Sequence, residues 1–207
     1  MNCEVELKGS LVSAVDHGPQ APSIAAARMA VTCGLPLNNA MASAVNMLGD
    51  VHGGAGEQAV ELFHFVMAHD GPVSDALSAW KEARGKIIPG FGHRFHKPTD
   101  PRAPRLMELV DQAVGQGACD GKFAQIAQEL ETVLREQKGT AIPMNIDGAT
   151  AVIYAELGFA PPLARGLFCL SRSVGILAHS WEQINQGGRN KGPTPPHYRW
   201  TYEGPSE

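Results

Sequence analysis

The stretch KIIPGFGHRFHKPTDPRAPRL, Lys86 to Leu106, sets two histidines and three arginines among glycines and prolines within 21 residues. A structural bend needs the glycines and prolines, which reverse the chain and stop helices. It does not need His93, Arg94, His96 and Arg102 crowded around them. The stretch closes on Asp100-Pro101, a good helix start, with Leu106, Leu109 and Val110 on the side that follows inward. It reads as a chemically loaded break between helices.

Working outward, helical periodicity dominates. Ala59, Leu62, Phe63, Val66 and Met67 form one stripe within 56–68, at three- and four-residue intervals. Phe123, Ile126, Ala127, Leu130, Val133 and Leu134 do the same within 121–137. The segment 163–185 is a further long apolar helix, and 22–48 reads as two helices broken at Gly34-Leu35-Pro36. Alternating strand patterns are scarce. The fold class expected is all-α, with polar breaks at 16–23, 50–57, 88–96 and 142–149 and a glycine- and proline-rich tail.

The chain has 207 residues, 43% hydrophobic and 18% charged, which is the balance of a globular protein with a real core. Its net charge of −4 argues against nucleic acid as a partner, and no run of like charges points to a membrane surface. No uninterrupted apolar stretch reaches the ~18 residues of a membrane span. MNCEVELKGS at the start has no basic region followed by an apolar core, so no secretory leader is read there. Cys3, Cys33, Cys119 and Cys169 are widely spaced and make no CxxC pair. They read as reduced thiols of a cytoplasmic protein.

Each polar break has a bland reading and a chemical one. His52 precedes two glycines and an amphipathic helix, so it is either a satisfied turn histidine or part of a ligand site at a helix start. PGFGHRFH is no dinucleotide fingerprint, because Phe95 stands where a third glycine is needed. A His93/His96 metal pair lacks a cysteine or carboxylate to complete it. Asp147 in MNIDGATAVIYAEL is either a helix N-cap or a carboxylate whose desolvation makes it a usable base. Arg172 lies inside an apolar helix and wants an anion, supplied by the protein or by a ligand. Jointly, histidines, an aspartate and arginines at glycine-flanked breaks suit polarising a carbonyl, moving protons and gripping carboxylates.

The order VHGGAGEQAVELF, PGFGHRFHKPTDPRA, MNIDGATAVIYAELGF, LSRSVGILAHSWEQ resembles the citrate synthase family, from about Leu11 to the C-terminus. DHGPQAPS and NIDGA are more similar to citryl-CoA lyases, and to the matching module of ATP-citrate lyase, than to ordinary citrate synthases. The resemblance implies a large helical domain (1–52 and 151–207) and a smaller coenzyme A-binding one (53–150), with N-terminal helices of the large domain absent. It makes His52, His93 and Asp147 the catalytic trio. It makes His17, Arg102, Arg172 and Lys191 the holders of oxaloacetate or citryl carboxylates. Ile88, Pro89, Gly90 and Gly92, with Asn145, match the part that embraces coenzyme A.

The implied reaction interconverts citryl-CoA with acetyl-CoA and oxaloacetate and requires no metal. The implied assembly is a homodimer or higher homo-oligomer. Two other readings stand beside the lyase. One is a complete citrate synthase, which also hydrolyses the thioester. The other is a non-catalytic fragment that pairs with a full-length relative.

Overall fold

The computed structural model describes residues 3–93, 98–190 and 204. Among them the regular structure is helical: α1 (Cys3–Ser13), α2 (Pro22–Thr32), α3 (Leu37–Val45), α4 (Ala55–Ala68), α5 (Val73–Arg84), α6 (Arg102–Gly115), α7 (Lys122–Lys138), α8 (Ile146–Glu156) and α9 (Pro161–Gln186). Two isolated bridges, Gly49 with Gly53 and Phe91 with Met144, are the only extended pairings among the described residues. No described helix is long and apolar enough to cross a membrane.

Helix α8 is the axis of the larger apolar cluster. Every residue from Gly148 to Ala155 is buried, so it has no solvated face. Such all-round burial needs partners on every side. The stripe Leu62, Phe63 and Val66 of α4, with Leu106 and Val110 of α6 and Leu130 and Leu134 of α7, joins α8 in this cluster. Glu156 ends α8 and starts α7: its carboxylate accepts the N–H groups of Gly121 (3.0 Å), Phe123 (2.7 Å) and Ala124 (3.1 Å). Three donors that a helix start leaves unpaired are thereby satisfied by one side chain.

A smaller cluster, Ala21, Ile24, Ala27, Ala44 and Ile176, joins α2 and α3 to the second half of α9. The break expected at Gly34-Leu35-Pro36 separates α2 from α3, with Gly34 at φ +95°.

Helix α9 has an unusual polarity. Ser171, Arg172 and Ser180 are buried, whereas Leu170, Val174, Leu177 and Trp181 are exposed. Besides the apolar contacts of Ala164 and Ile176, its inward face binds backbone. Ser171 Oγ donates to the Leu11 carbonyl, and Arg172 Nε to the Ala14 carbonyl at 3.2 Å. At Gly175 a Cβ would lie 2.2 Å from the Val15 carbonyl oxygen, so only glycine admits this approach. The segment after α1 is laid along α9 in fixed register.

Candidate active site

The breaks between helices meet at a cavity of about 210 Å³ lined by His17, His52, Arg102, Asp147, Phe168 and Arg172, among others. Five residues read from separate stretches of sequence thus share one space. His93 stands at its edge, its ring 6.1 Å from that of His17 and inclined to it by 71°. Lys191 lies outside the described residues.

His52 is placed by the loop between α3 and α4 and oriented by Ser23 at the start of α2. The Ser23 N–H donates to His52 Nε2 at 3.2 Å, and the Ser23 hydroxyl sits 3.0 Å from the same nitrogen. A backbone N–H can only donate, so Nε2 is the acceptor and the proton of the neutral ring sits on Nδ1. Burial, then the charge of Arg172 and of His17, hold the imidazole below its ordinary pKa. A neutral ring with a fixed N–H is suited to supporting an oxyanion.

Asp147 is not the N-cap of α8. Asn145 takes that role, its Oδ1 accepting the N–H groups of Asp147 (2.9 Å) and Gly148 (3.1 Å). The Asp147 carboxyl therefore points from the first turn into the cavity. Part of its surface opens there, yet it lies deep in the protein. Desolvation raises its pKa against the opposing pull of Arg102, Arg172 and His93.

Arg172 is buried and lies over the Phe168 ring, 4.8 Å from guanidinium carbon to ring centroid. Among the described residues no carboxylate comes within salt-bridge distance of it. Burial holds it below its ordinary pKa, with Asp147 and Asp16 opposing.

Arg102, expected to hold a substrate carboxylate, gives part of its fork to a protein one. Its Nε and Nη2 are both taken by Asp100, at 3.0 and 2.9 Å. Asp100, which the sequence offered only as a helix start, is fully buried and also accepts the Ile146 N–H at 3.1 Å. What Arg102 presents to the cavity is the remaining edge of its guanidinium.

Ile88, Pro89 and Gly90 are buried, and the loop they form is pinned to the start of α8. Asn145 N–H donates to the Gly90 carbonyl (2.9 Å) and Gly92 N–H to the Pro143 carbonyl (2.7 Å). A Cβ on Gly148 would lie 2.3 Å from the Gly90 oxygen, and Gly90 itself has φ +83°. Asn145 Nδ2 donates to the Gly92 carbonyl at 2.7 Å, so its side chain is committed to the loop and the cap. Next to this loop is a second cavity of about 590 Å³, lined by Lys81, Lys86, Ile88, Phe91, Lys138 and Ile142, among others.

The family model for the citrate synthase C-terminal domain matches residues 4–194. The chain belongs to the citrate synthase family. It is 33% identical over 179 residues to a citrate synthase of Haloferax volcanii, covering 84% of this chain and 45% of that protein. To a citrate synthase of Bacillus subtilis it is 31% identical over 180 residues, covering 85% and 46%. The chain spans about half the length of these curated relatives or less.

Its fold superposes on citryl-CoA lyase from Hydrogenobacter thermophilus with a TM-score of 0.85 at 32% identity, covering 100% of this chain and 80% of that one. On citrate synthase from Thermoplasma acidophilum, solved with carboxymethyl coenzyme A and oxaloacetate, the TM-score is 0.77 at 28% identity, covering 100% and 54%. The expected all-α, citrate synthase-like fold is thus the one observed.

Proposed function

We propose that the protein cleaves citryl-CoA to acetyl-CoA and oxaloacetate, and runs the reverse condensation, as a citryl-CoA lyase. The observation that carries this reading is Arg172: a buried cation without a carboxylate partner among the described residues, facing a cavity shared with His52 and Asp147. In the cleavage direction His93 takes the hydroxyl proton and the carbon–carbon bond breaks toward oxaloacetate. His52 Nδ1–H supports the enolate oxygen of acetyl-CoA, and Asp147, its pKa raised by burial, delivers the proton to carbon. A positioned donor supplies ~3–4 kcal/mol to such an oxyanion, and a positioned acid ~10²–10⁴-fold in rate. Arg172, Arg102 and His17 hold the carboxylates, with Lys191 as a further cation.

The Ile88–Gly92 loop with Asn145 places coenzyme A, and the neighbouring cavity supports this: Ile88, Phe91 and Ile142 offer apolar walls, and Lys81, Lys86 and Lys138 offer cations for phosphate groups. The smaller cluster sets α2, α3 and the second half of α9 apart as one part, while the larger one, centred on α8, joins residues of 53–150 to Ala151–Ala155 and Ala164, so the coenzyme-binding part around 53–150 shares its core with the start of the other. The exposed apolar row on α9, Leu170, Val174, Leu177 and Trp181, supports self-association.

A complete citrate synthase is the second reading, favoured by the names of the curated relatives. Supplying citryl-CoA separates the two. A lyase yields oxaloacetate and acetyl-CoA; a synthase yields citrate and free coenzyme A. Intact citryl-CoA after prolonged incubation would defeat both and leave the non-catalytic fragment.

A further inference from the structure

Arg165, Arg172 and His179 stand seven residues apart on α9, close to two helical turns each, so they lie along one side of it. The middle member faces the cavity. The outer two each hold a loop that carries a cavity histidine.

Arg165 closes the loop around His52 from both ends. Its Nη2 is 2.5 Å from Asp50 Oδ1, two residues before His52, and its Nε donates to the Glu57 carboxylate in the first turn of α4. Gln58 Nε2 adds a bond to the Asp50 carbonyl at 3.1 Å. His179 does the equivalent for His17. Its Nε2 is 3.2 Å from Asp16 Oδ1, and the Asp16 carboxylate also accepts the backbone N–H groups of His17 and Gly18. His179 is itself held from the other side. Its Nδ1 lies 3.3 Å from Glu182 Oε2 and 3.5 Å from Arg28 Nη1, and Arg28 also bonds Glu182 and Gln186.

We propose that Arg165 and His179 are positioning residues for the reaction, Arg165 acting through the Asp50–Glu57 loop on His52 and His179 acting through Asp16 on His17. Neither lines the cavity. The proposal rests on the reading that His52 stabilises the reacting oxygen while His17 holds a carboxylate. It follows that the two residues leave opposite kinetic signatures.

The test is steady-state condensation of acetyl-CoA with oxaloacetate, together with carbon-13 NMR of labelled histidine rings. Arg165→Met is expected to lower kcat about 10- to 100-fold with little change in KM for oxaloacetate, since small misplacements of a reacting group cost that much. His179→Leu is expected to raise KM for oxaloacetate about tenfold or more and to spare kcat. Arg165→Lys and His179→Gln keep a donor at the same place and should recover most of each loss. Asp50→Asn and Asp16→Asn weaken the same contacts from the far side, with the same direction and smaller size.

In the NMR experiment Arg165→Met should shift the His52 ring signal and leave that of His17, and His179→Leu the reverse. Should the wild-type protein catalyse neither reaction, the proposed function fails, and the ring signals alone decide positioning. Unchanged ring signals in both variants, or equal losses in kcat and KM that follow only a lowered unfolding midpoint, would overturn the proposal.

Discussion

Asp100 holds Arg102 by two prongs: Oδ1 accepts the Nε–H at 3.0 Å and Oδ2 the Nη2–H at 2.9 Å. The same carboxylate accepts the N–H of Arg102 itself and of Ile146, so one buried side chain ties the start of α6 to the start of α8. The cavity's arginine and its aspartate are thus fixed relative to each other through a residue that lines neither wall. This is how two helices separated by α7 keep a cation and a carboxyl facing one space.

Asp100→Asn tests that tie. Burial pushes the Asp100 pKa up, but the Arg102 bonds and the Ile146 N–H outweigh it, and the folded value lies below the ordinary one. A depressed carboxylate contributes stability above its unfolded pKa of about 3.9, and loses it as pH falls through the folded value. The asparagine variant should therefore be less stable by about 2–3 kcal/mol at neutral pH, at the low end for a broken pair because Arg102 keeps access to water. Urea midpoints of the two proteins should converge as the pH is lowered below 4. A constant gap down to pH 2 would mean that packing, not charge, is what Asp100 contributes.

Arg172→Met separates binding from folding. A buried cation without a carboxylate partner among the described residues costs desolvation, which an apolar side chain of similar length removes. The urea midpoint should stay level or rise, while oxaloacetate binding weakens by about 2–5 kcal/mol, as for removing one charged partner of a buried anion. Isothermal titration with oxaloacetate, then with coenzyme A alone, reads both ligands; coenzyme A affinity should hold. Equal weakening of the two would place the dicarboxylate elsewhere.

Asn145 makes a prediction about the loop. Asn145→Ala removes the α8 cap and should cost about 1–2 kcal/mol. Asn145→Asp keeps a capping oxygen but sets a carboxylate against the Gly92 carbonyl, where the amide now donates at 2.7 Å. The aspartate variant should therefore cap nearly as well while weakening coenzyme A binding severalfold. Denaturation and a coenzyme A titration on the same two variants suffice. Full affinity in the aspartate variant would detach the loop's shape from this bond.

What could be read from sequence tracks how each helix is buried. The stripes of α4 and α7 announce themselves because they bury apolar side chains against apolar side chains. Helix α1 does not. It turns Glu6 and Ser10 inward and leaves Val5 and Val12 exposed, so its pattern matches no amphipathic template. In the site, Asp147 and Arg172 were legible as misfits among apolar neighbours, and His52 as a histidine set against two glycines at a helix start. Ser23 and Asp100 were not, because a serine or aspartate at a helix start has an ordinary capping explanation. The two readings of Asp147 stay open on the sequence for a related reason: Asn145 and Asp147 are both good caps, and only the backbone decides between them.

Asp147→Asn is the sharpest test of the chemistry, and the assignment of the cap to Asn145 sharpens it further. A carboxyl whose folded pKa is raised destabilises the fold once it ionises. That cost grows as pH rises from the unfolded pKa, about 3.9, to the folded one, and is then constant. An amide mimics the neutral acid at every pH. The variant should therefore match the wild type in stability near pH 3 and exceed it at neutral pH, whereas a capping aspartate would show almost no change, because asparagine caps a helix about as well. Its rate should fall by at least ~10²-fold, because an amide cannot exchange a proton with the acetyl carbon. Exchange of acetyl-CoA methyl hydrogens with deuterated water, in the presence of an oxaloacetate analogue, isolates that step. An asparagine variant that exchanges at the wild-type rate would remove Asp147 from the mechanism and leave its raised pKa as a consequence of burial alone.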